Sequence, residues 1–288
     1  MPTIKKILFP FDFSTQATLV APFVRAIAER FDASVTLLGV VPPVWVPSTG
    51  EMPVLVELGS DEREKTTHDR LDRALHPELA GIKVERVTAL GDPAAQIVAY
   101  AHTNSIDLIM MPTHGLGVFR SMLLGSVTAK VLHDAKCPVW TAAHAEVQGA
   151  PVAPKTIVCA VDGPSDETLA LVRWAAEYSK HWKATLKLLH AVPPVSDWLA
   201  IPTEIELHKQ LREQAYEQLD PYLKQTVGVD APLRVVLGKV TDAIPIEAKQ
   251  EGADLVLIGR GAAHAAFGRL RSHVFGIVQQ SPCPVLSV

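Results

Sequence analysis

Cysteine is scarce in this 288-residue chain: Cys137, Cys159 and Cys283 are the whole supply. An odd count without a CxxC pair argues against a disulfide framework and leaves a zinc site short of ligands. Reduced core thiols are the expectation. A surplus of positive charge is also missing, since 27 Lys and Arg face 31 Asp and Glu, giving a net charge of −4 and a pI near 6.3. Nucleic-acid phosphates and anionic membrane surfaces are therefore unsuitable partners. No apolar run approaches the roughly 18 residues of a membrane span. The opening, Met1 to Ser14, passes from two lysines directly into a strand-like run, with no signal-peptide apolar region or cleavage site. A cytoplasmic location is expected. Enzyme signatures are wanting as well: no GxxxxGK[ST], HExxH or GxSxG occurs, and the 11 histidines are scattered.

What is present suits a packed protein, with 48% apolar and 20% charged residues, in a length that fits two domains with separate cores. The chain repeats itself once. Ile7-Leu-Phe-Pro-Phe-Asp12 has its counterpart in Ile157-Val-Cys-Ala-Val-Asp162, the two aspartates lying 150 residues apart. In the same order, Thr36–Pro43 matches Lys187–Pro194, Leu90-Gly-Asp92 matches Leu237-Gly-Lys239, and Ile106–Met111 matches Ala253–Ile258. Each half ends in Cys-Pro-Val, at Cys137 and at Cys283. The Ala- and Pro-rich stretch from Ala143 to Pro154 separates them. The expected division is a first domain over 1–145, a linker over 146–153 and a second domain over 154–288.

Within each copy, short aliphatic runs alternate with longer amphipathic stretches, which predicts α/β architecture: two tandem, doubly wound, parallel five-stranded sheets of Rossmann-like type. In the first copy strands are expected at Lys5–Phe11, Ser34–Val41, Lys83–Thr88, Asp107–Met111 and Val139–Ala142. Helices fill the gaps. Ser14 or Thr15 caps the first, and Pro22 is expected to kink or delay it. The others are placed at Ser60–His76, Asp92–Asn104 and Ser126–Ala135, and the longest helix of the second copy near Glu204–Thr226.

Ligands of such sheets bind beyond the C-terminal strand ends, where strand order reverses. In the first copy those ends carry Pro10-Phe11-Asp12, Val40-Val41, and Met111-Pro112 followed by a glycine-bearing segment that runs through His114, Gly115, Gly117 and Arg120 to Gly125-Ser126. Glycines at 115 and 117 let backbone approach an anion, and Gly125-Ser126 opens a helix whose first N–H groups are expected to be unpaired donors. Taken singly, each residue also has a plain structural reading: turn glycines, a Ser126 N-cap, an Asp12 helix cap, a loop histidine at 114. Their convergence on one sheet edge favours a phosphate-bearing ligand.

These residues resemble the universal stress protein family, in its tandem two-domain form, over essentially the whole chain. The family signature is Gly, two residues, Gly, nine residues, then Gly with Ser or Thr. Here Pro112-Thr-His-Gly115, the nine residues Leu116 to Leu124, and Gly125-Ser126 match it except at the first glycine. The resemblance implies ATP binding, with Asp12 by the nucleoside, the Val40 backbone by adenine, and His114, Gly115, Gly125, Ser126 and Val127 around ribose and phosphates. Pro10, Phe11, Met111 and Pro112 complete that expected site, and Pro112 brings no N–H donor. Mg²⁺ could accompany ATP through phosphate oxygens near Asp12; no metal site of the protein's own is expected. The resemblance also implies pairing of the two domains through their last strands, with homodimers of whole chains left open.

In the second copy, alignment back from Cys283 places Arg271-Ser272 where Gly125-Ser126 stand, after Gly259-Arg-Gly-Ala262 and a loop one residue shorter. This site reads as degenerate, with a narrowed cradle, although Arg260, Arg269 and Arg271 could hold an anion. No catalytic residue is assigned. A binding protein with regulatory or stress-survival function and little or no hydrolysis is expected; the alternatives are a nucleotide-using enzyme of related fold, such as an adenylyl transferase or ATP pyrophosphatase, and a partner-binding module with vestigial pockets.

Overall fold

The computed structural model describes residues 3–46, 54–56, 60–115, 124–142, 152–193, 203–227, 231–260 and 269–288. The chain divides into two compact units, Thr3–Trp140 and Thr141–Val288. The elements of the first copy are β1 (Lys6–Pro10), α1 (Thr15–Phe31), β2 (Ser34–Val41), β3 (Val44–Val46), β4 (Val54–Val56), α2 (Ser60–Arg73), β5 (Val84–Leu90), α3 (Pro93–Thr103), β6 (Leu108–Pro112), α4 (Ser126–Asp134) and β7 (Val139–Ala142). Those of the second are β8 (Thr156–Ala160), α5 (Asp166–Trp182), β9 (Thr185–Val192), α6 (Thr203–Val227), β10 (Leu233–Leu237), α7 (Val240–Gln250), β11 (Leu255–Ile258), α8 (Arg269–Gln280) and β12 (Val285–Ser287).

The first sheet runs in the order β5-β2-β1-β6-β7, and the second in the equivalent order β10-β9-β8-β11-β12. Both are doubly wound and parallel at the pairs from β5 to β6 and from β10 to β12. The central strands are buried on both faces, which explains their uninterrupted apolar runs: Ile7, Leu8, Phe9, Leu108, Ile109 and Met110 are fully enclosed. One carboxylate ties each central pair at its N-terminal end. Asp107 Oδ2 accepts from the amides of Lys5 and Lys6 at 2.8 and 2.9 Å, and Asp254 Oδ2 from those of Lys155 and Thr156 at the same distances. The repeat read from sequence is therefore also a repeat of hydrogen bonds.

Differences from the sequence reading are local. The β3–β4 antiparallel hairpin, Val44 against Val56, follows β2 and was not anticipated. β5 runs to Leu90 and β6 to Pro112, each beyond the expected end. α1 is not delayed: Ser14 caps it, its Oγ accepting from the Ala17 amide at 3.1 Å, and the helix continues through Pro22. Burial of Val20, Phe23, Val24, Ile27 and Phe31 on one face offsets the loss of the proline's hydrogen bond. Cys159 and Cys283 are buried, Cys137 is half-buried, and none is in a disulfide. The linker over 146–153 falls mostly outside the described residues.

Candidate functional site

The strand order reverses between β2 and β6 on either side of β1, so their C-terminal ends form a natural crevice. Sequence reasoning placed its residues there, and the structure puts Pro10 at the end of β1, Val40 next to last in β2, and Met111 and Pro112 at the end of β6. The Phe11 amide donates to Leu38 O at 2.8 Å, which carries the chain past β2 before it turns. Asp12 then makes a tight local turn, its Oδ1 accepting from the Ser14 amide at 3.0 Å. Phe13 adopts the left-handed backbone region, with φ of 62°. A non-glycine residue in that region beside a crevice marks backbone held by its surroundings. Two contacts hold it: Phe11 packs edge-on at 5.1 Å, and the Arg70 guanidinium of α2 lies 3.9 Å from the ring centroid.

Asp12 faces Gly115 across the crevice. A Cβ at 115 would collide with Asp12 Oδ2 and lie 3.3 Å from its Cγ, so only glycine fits the present arrangement. Gly125 is also tightly placed, against backbone: a Cβ there would come 3.1 Å from Thr113 O and 3.3 Å from His114 Cα. Gly125 is the N-cap of α4 and has no side-chain cap bond. The expectation that its own amide is unpaired is corrected, because Gly125 N donates to Thr113 O at 2.8 Å. The donors left at this helix start are those of the first turn, Ser126 and Val127 among them, at the positive end of the helix dipole.

The backbone ahead of α4 is fixed from inside the helix. The buried Thr128 hydroxyl donates to Pro112 O at 3.1 Å, and Thr113 Oγ1 lies 3.0 Å from His114 Nδ1. Asp12 is exposed, while His114, Gly115 and Gly125 are partly open to solvent. Leu116, Gly117 and Arg120 lie outside the described residues. Sequence reasoning missed Phe13, Arg70 and Thr128, whose roles come from tertiary approach; the one available signal was a threonine three residues into a helix after a glycine cap. At the rim, Asp92 caps α3, and its carboxyl is held below the usual range by the Ala95 amide and then by Lys130 of α4, 3.1 Å away.

The second copy keeps the scaffold. Val161 N donates to Leu189 O at 2.9 Å, as Phe11 N does to Leu38 O, and Val256 N to Pro284 O at 2.9 Å, as Ile109 N does to Pro138 O. Its last helix differs. α8 begins at Arg269, 14 residues before Cys283, whereas α4 begins at Ser126, 11 before Cys137. Arg271 is thus a helical residue and not a cap. The Arg269, Arg271 and Ser272 side chains lie outside the description. A cavity of about 620 Å³ opens beside Asp162 and Gly259, so the crevice of this copy is open at that end.

Among the described residues, no group of three or more His, Cys, Asp or Glu side chains could hold a metal ion, and no helix is long and apolar enough to cross a membrane.

Two doubly wound parallel sheets with a crevice at each switch point define a duplicated α/β protein. The family model described as the universal stress protein family matches residues 3–142 and again 154–288, and the chain belongs to that family in tandem form. It is 35% identical over 138 residues to Universal stress protein MJ0531 of Methanocaldococcus jannaschii, covering 47% of this chain and 79% of that one. A universal stress protein of Mycolicibacterium smegmatis is 25% identical over 98% of this chain and 96% of its own. In fold, the chain is similar to a crystal structure of a universal stress protein from Archaeoglobus fulgidus, with TM-score 0.68 and 19% identity, covering 99% of this chain and 96% of that one.

Proposed function

We propose that this universal stress protein is a regulatory binding protein that takes ATP in its first domain and turns it over slowly or not at all. The observation that carries the reading is the glycine-lined approach between Asp12, Gly115 and Gly125 at the uncapped start of α4. Phosphate oxygens suit the first-turn amides of Ser126 and Val127, which present donors and a positive dipole end. Val40, Pro10 and Phe11 serve the nucleoside end in this reading, with Met111, Pro112 and His114 along the third side. Asp12 is the acidic group available to Mg²⁺ held on the phosphates. A single such carboxylate, with no second acidic partner assigned to orient water, is poor equipment for rapid hydrolysis.

The same reading places the protein in the cytoplasm and pairs its domains through the last strand of each copy. Mass spectrometry of small molecules released from the purified, denatured chain tests the ligand directly. Recovery of adenine nucleotide, with calorimetric ATP binding at one tight site, is the expected result. A chain purified empty that ignores added ATP returns the function to partner binding. Turnover within the roughly 1 to 10³ per second typical of enzymes makes it a nucleotide-using enzyme.

A further inference from the structure

Phe13 holds a backbone conformation that is costly for a residue with a Cβ, and the second copy makes the corresponding turn without it. There Asp162 is followed by Gly163, whose φ lies outside the left-handed region, and by one added residue, Pro164, before the Ser165 cap. In the first copy Phe13 alone stands between Asp12 and the Ser14 cap. Glycine would take the left-handed conformation freely; phenylalanine brings a ring to it, and Arg70 grips that ring. Arg70 comes from a helix fixed at three places. Leu71, the next residue, is fully buried and seats on β2, where a Cβ at Gly39 would come 2.7 Å from its Cδ1. Arg63 donates to Pro42 O at 2.7 Å, just past the end of β2. Arg86 of β5 donates to Leu71 O and Ala74 O at 2.8 and 3.0 Å, satisfying carbonyls at the end of α2.

On the other side of Phe13, the Phe11 ring is buried and meets Phe9, a fully enclosed strand residue, at 5.8 Å. A row therefore runs from the Arg70 guanidinium through Phe13 and Phe11 to Phe9 in the core, and Asp12 is the residue between its two outer rings. The cost of the left-handed Phe13 and the attraction of a cation for a ring face are of the same order, so loss of the guanidinium lets a substantial share of molecules leave this turn. A ligand that needs Asp12 where it stands binds only the share that remains, and its apparent affinity falls by that fraction. We propose that Arg70 is a positioning residue for the first-domain site: by clasping the Phe13 ring it sets the turn that holds Asp12 across the crevice at Gly115, and it ties ligand affinity to the seat of α2 on its sheet. The effect on affinity rests on the ATP reading of that crevice; the clasp does not.

Calorimetric ATP titration of the full chain tests it in Arg70→Met, Arg70→Lys, Phe13→Leu and the Arg70→Met/Phe13→Leu double variant. The Ser14 amide resonance of the ligand-free chains is read beside it, because that amide donates to Asp12 Oδ1. Arg70 is exposed, so its variants should fold with the wild-type circular dichroism. Arg70→Met keeps an apolar stem without the charge and should weaken ATP about two- to fivefold, the equivalent of one exposed cation–π contact. Arg70→Lys returns a cation to the ring and should recover part of that loss. The double variant should bind no more weakly than the weaker single one, since both changes break the same contact. Without ligand, the Ser14 amide should shift in Arg70→Met and move back in Arg70→Lys. Additive losses in the double variant would mean that Arg70 acts on phosphate directly by its charge, and overturn the proposal. Wild-type affinity in Arg70→Met, or an unmoved Ser14 amide, overturns it too. A wild-type chain that ignores ATP refutes the nucleotide reading instead, and the Ser14 amide then decides the clasp by itself.

Discussion

The carboxylate of Asp12 stands in the space that any side chain on Gly115 would need. The two residues are 103 positions apart in sequence and meet only because β1 and β6 are neighbours in the sheet. Gly115→Ala must therefore displace Asp12 and disturb the turn its Oδ1 makes with the Ser14 amide. Because the overlap is with the outer end of an exposed side chain that can swing aside, the stability loss should stay below about 1 kcal/mol. ATP affinity should fall at least about tenfold. Adding Asp12→Ala should restore much of the stability and none of the affinity. Thermal denaturation and calorimetric titration of the single and double variants read both.

Gly125 and Arg271 offer a direct comparison between the copies. Gly125→Arg crowds Thr113 O and His114 Cα at the start of α4, and should remove most ATP binding. Arg271→Gly, inside the first turn of α8, should leave the number of tight sites per chain at one. Isothermal titration showing two equivalent sites, or wild-type affinity in Gly125→Arg, contradicts the asymmetry.

Pro22 lies on the exposed side of α1, where it withholds the hydrogen bond that Thr18 O would otherwise accept. Pro22→Ala should stabilise the first domain by about 1 to 3 kcal/mol, the greater freedom of the unfolded alanine chain keeping the gain below the full helix-interior penalty. Chemical denaturation measures it, and an unchanged or lowered midpoint would refute it.

In the second domain Glu251 links two strands: Oε2 meets Lys187 Nζ at 2.7 Å on β9, and Oε1 meets Arg234 at 2.7 Å on β10. The hydrogen bond from Lys187 is the first cause, and burial opposes it, of a carboxyl held below its usual range. A depressed folded-state pKa contributes stability above the unfolded carboxylate value and loses it as pH falls through the folded one. Glu251→Gln should thus cost about 0.5 to 1 kcal/mol at pH 7, as a partly exposed pair does. The difference should begin to shrink as pH falls through the ordinary carboxylate value of about 4.3 and vanish only below the depressed folded-state one. Urea denaturation across pH checks this; a cost that persists in acid would assign the effect to packing.

Much of the fold was legible because both sheets are buried on two faces, so strands such as Ile7–Phe9 and Leu108–Met110 had to be unbroken apolar runs. β2 and β7 fall on their expected bounds, and α6 within one residue at each end. Glycines at 115 and 125 were also readable, since a missing side chain is visible in a sequence. What meets that missing side chain was not. The Asp12 carboxylate, the left-handed Phe13, the Arg70 guanidinium above it and the Thr128 bond to Pro112 all depend on distant segments arriving together. Pairing of the Gly125 amide was hidden for the same reason, because its partner, Thr113 O, is a backbone atom with no sequence signature.

Gly39 on β2 and His190 on β9 hold the same place in the two copies, each one residue after the carbonyl, Leu38 O or Leu189 O, that accepts from the turning chain, and only at Gly39 does the overlying helix close on the strand through Leu71. The two copies can thus differ beneath this helix while β1 on β2 and β8 on β9 keep the same register. For an engineer, the place to open a chamber beneath α2 in the first half is the contact between Gly39 and Leu71, with Leu71 the piece to trim.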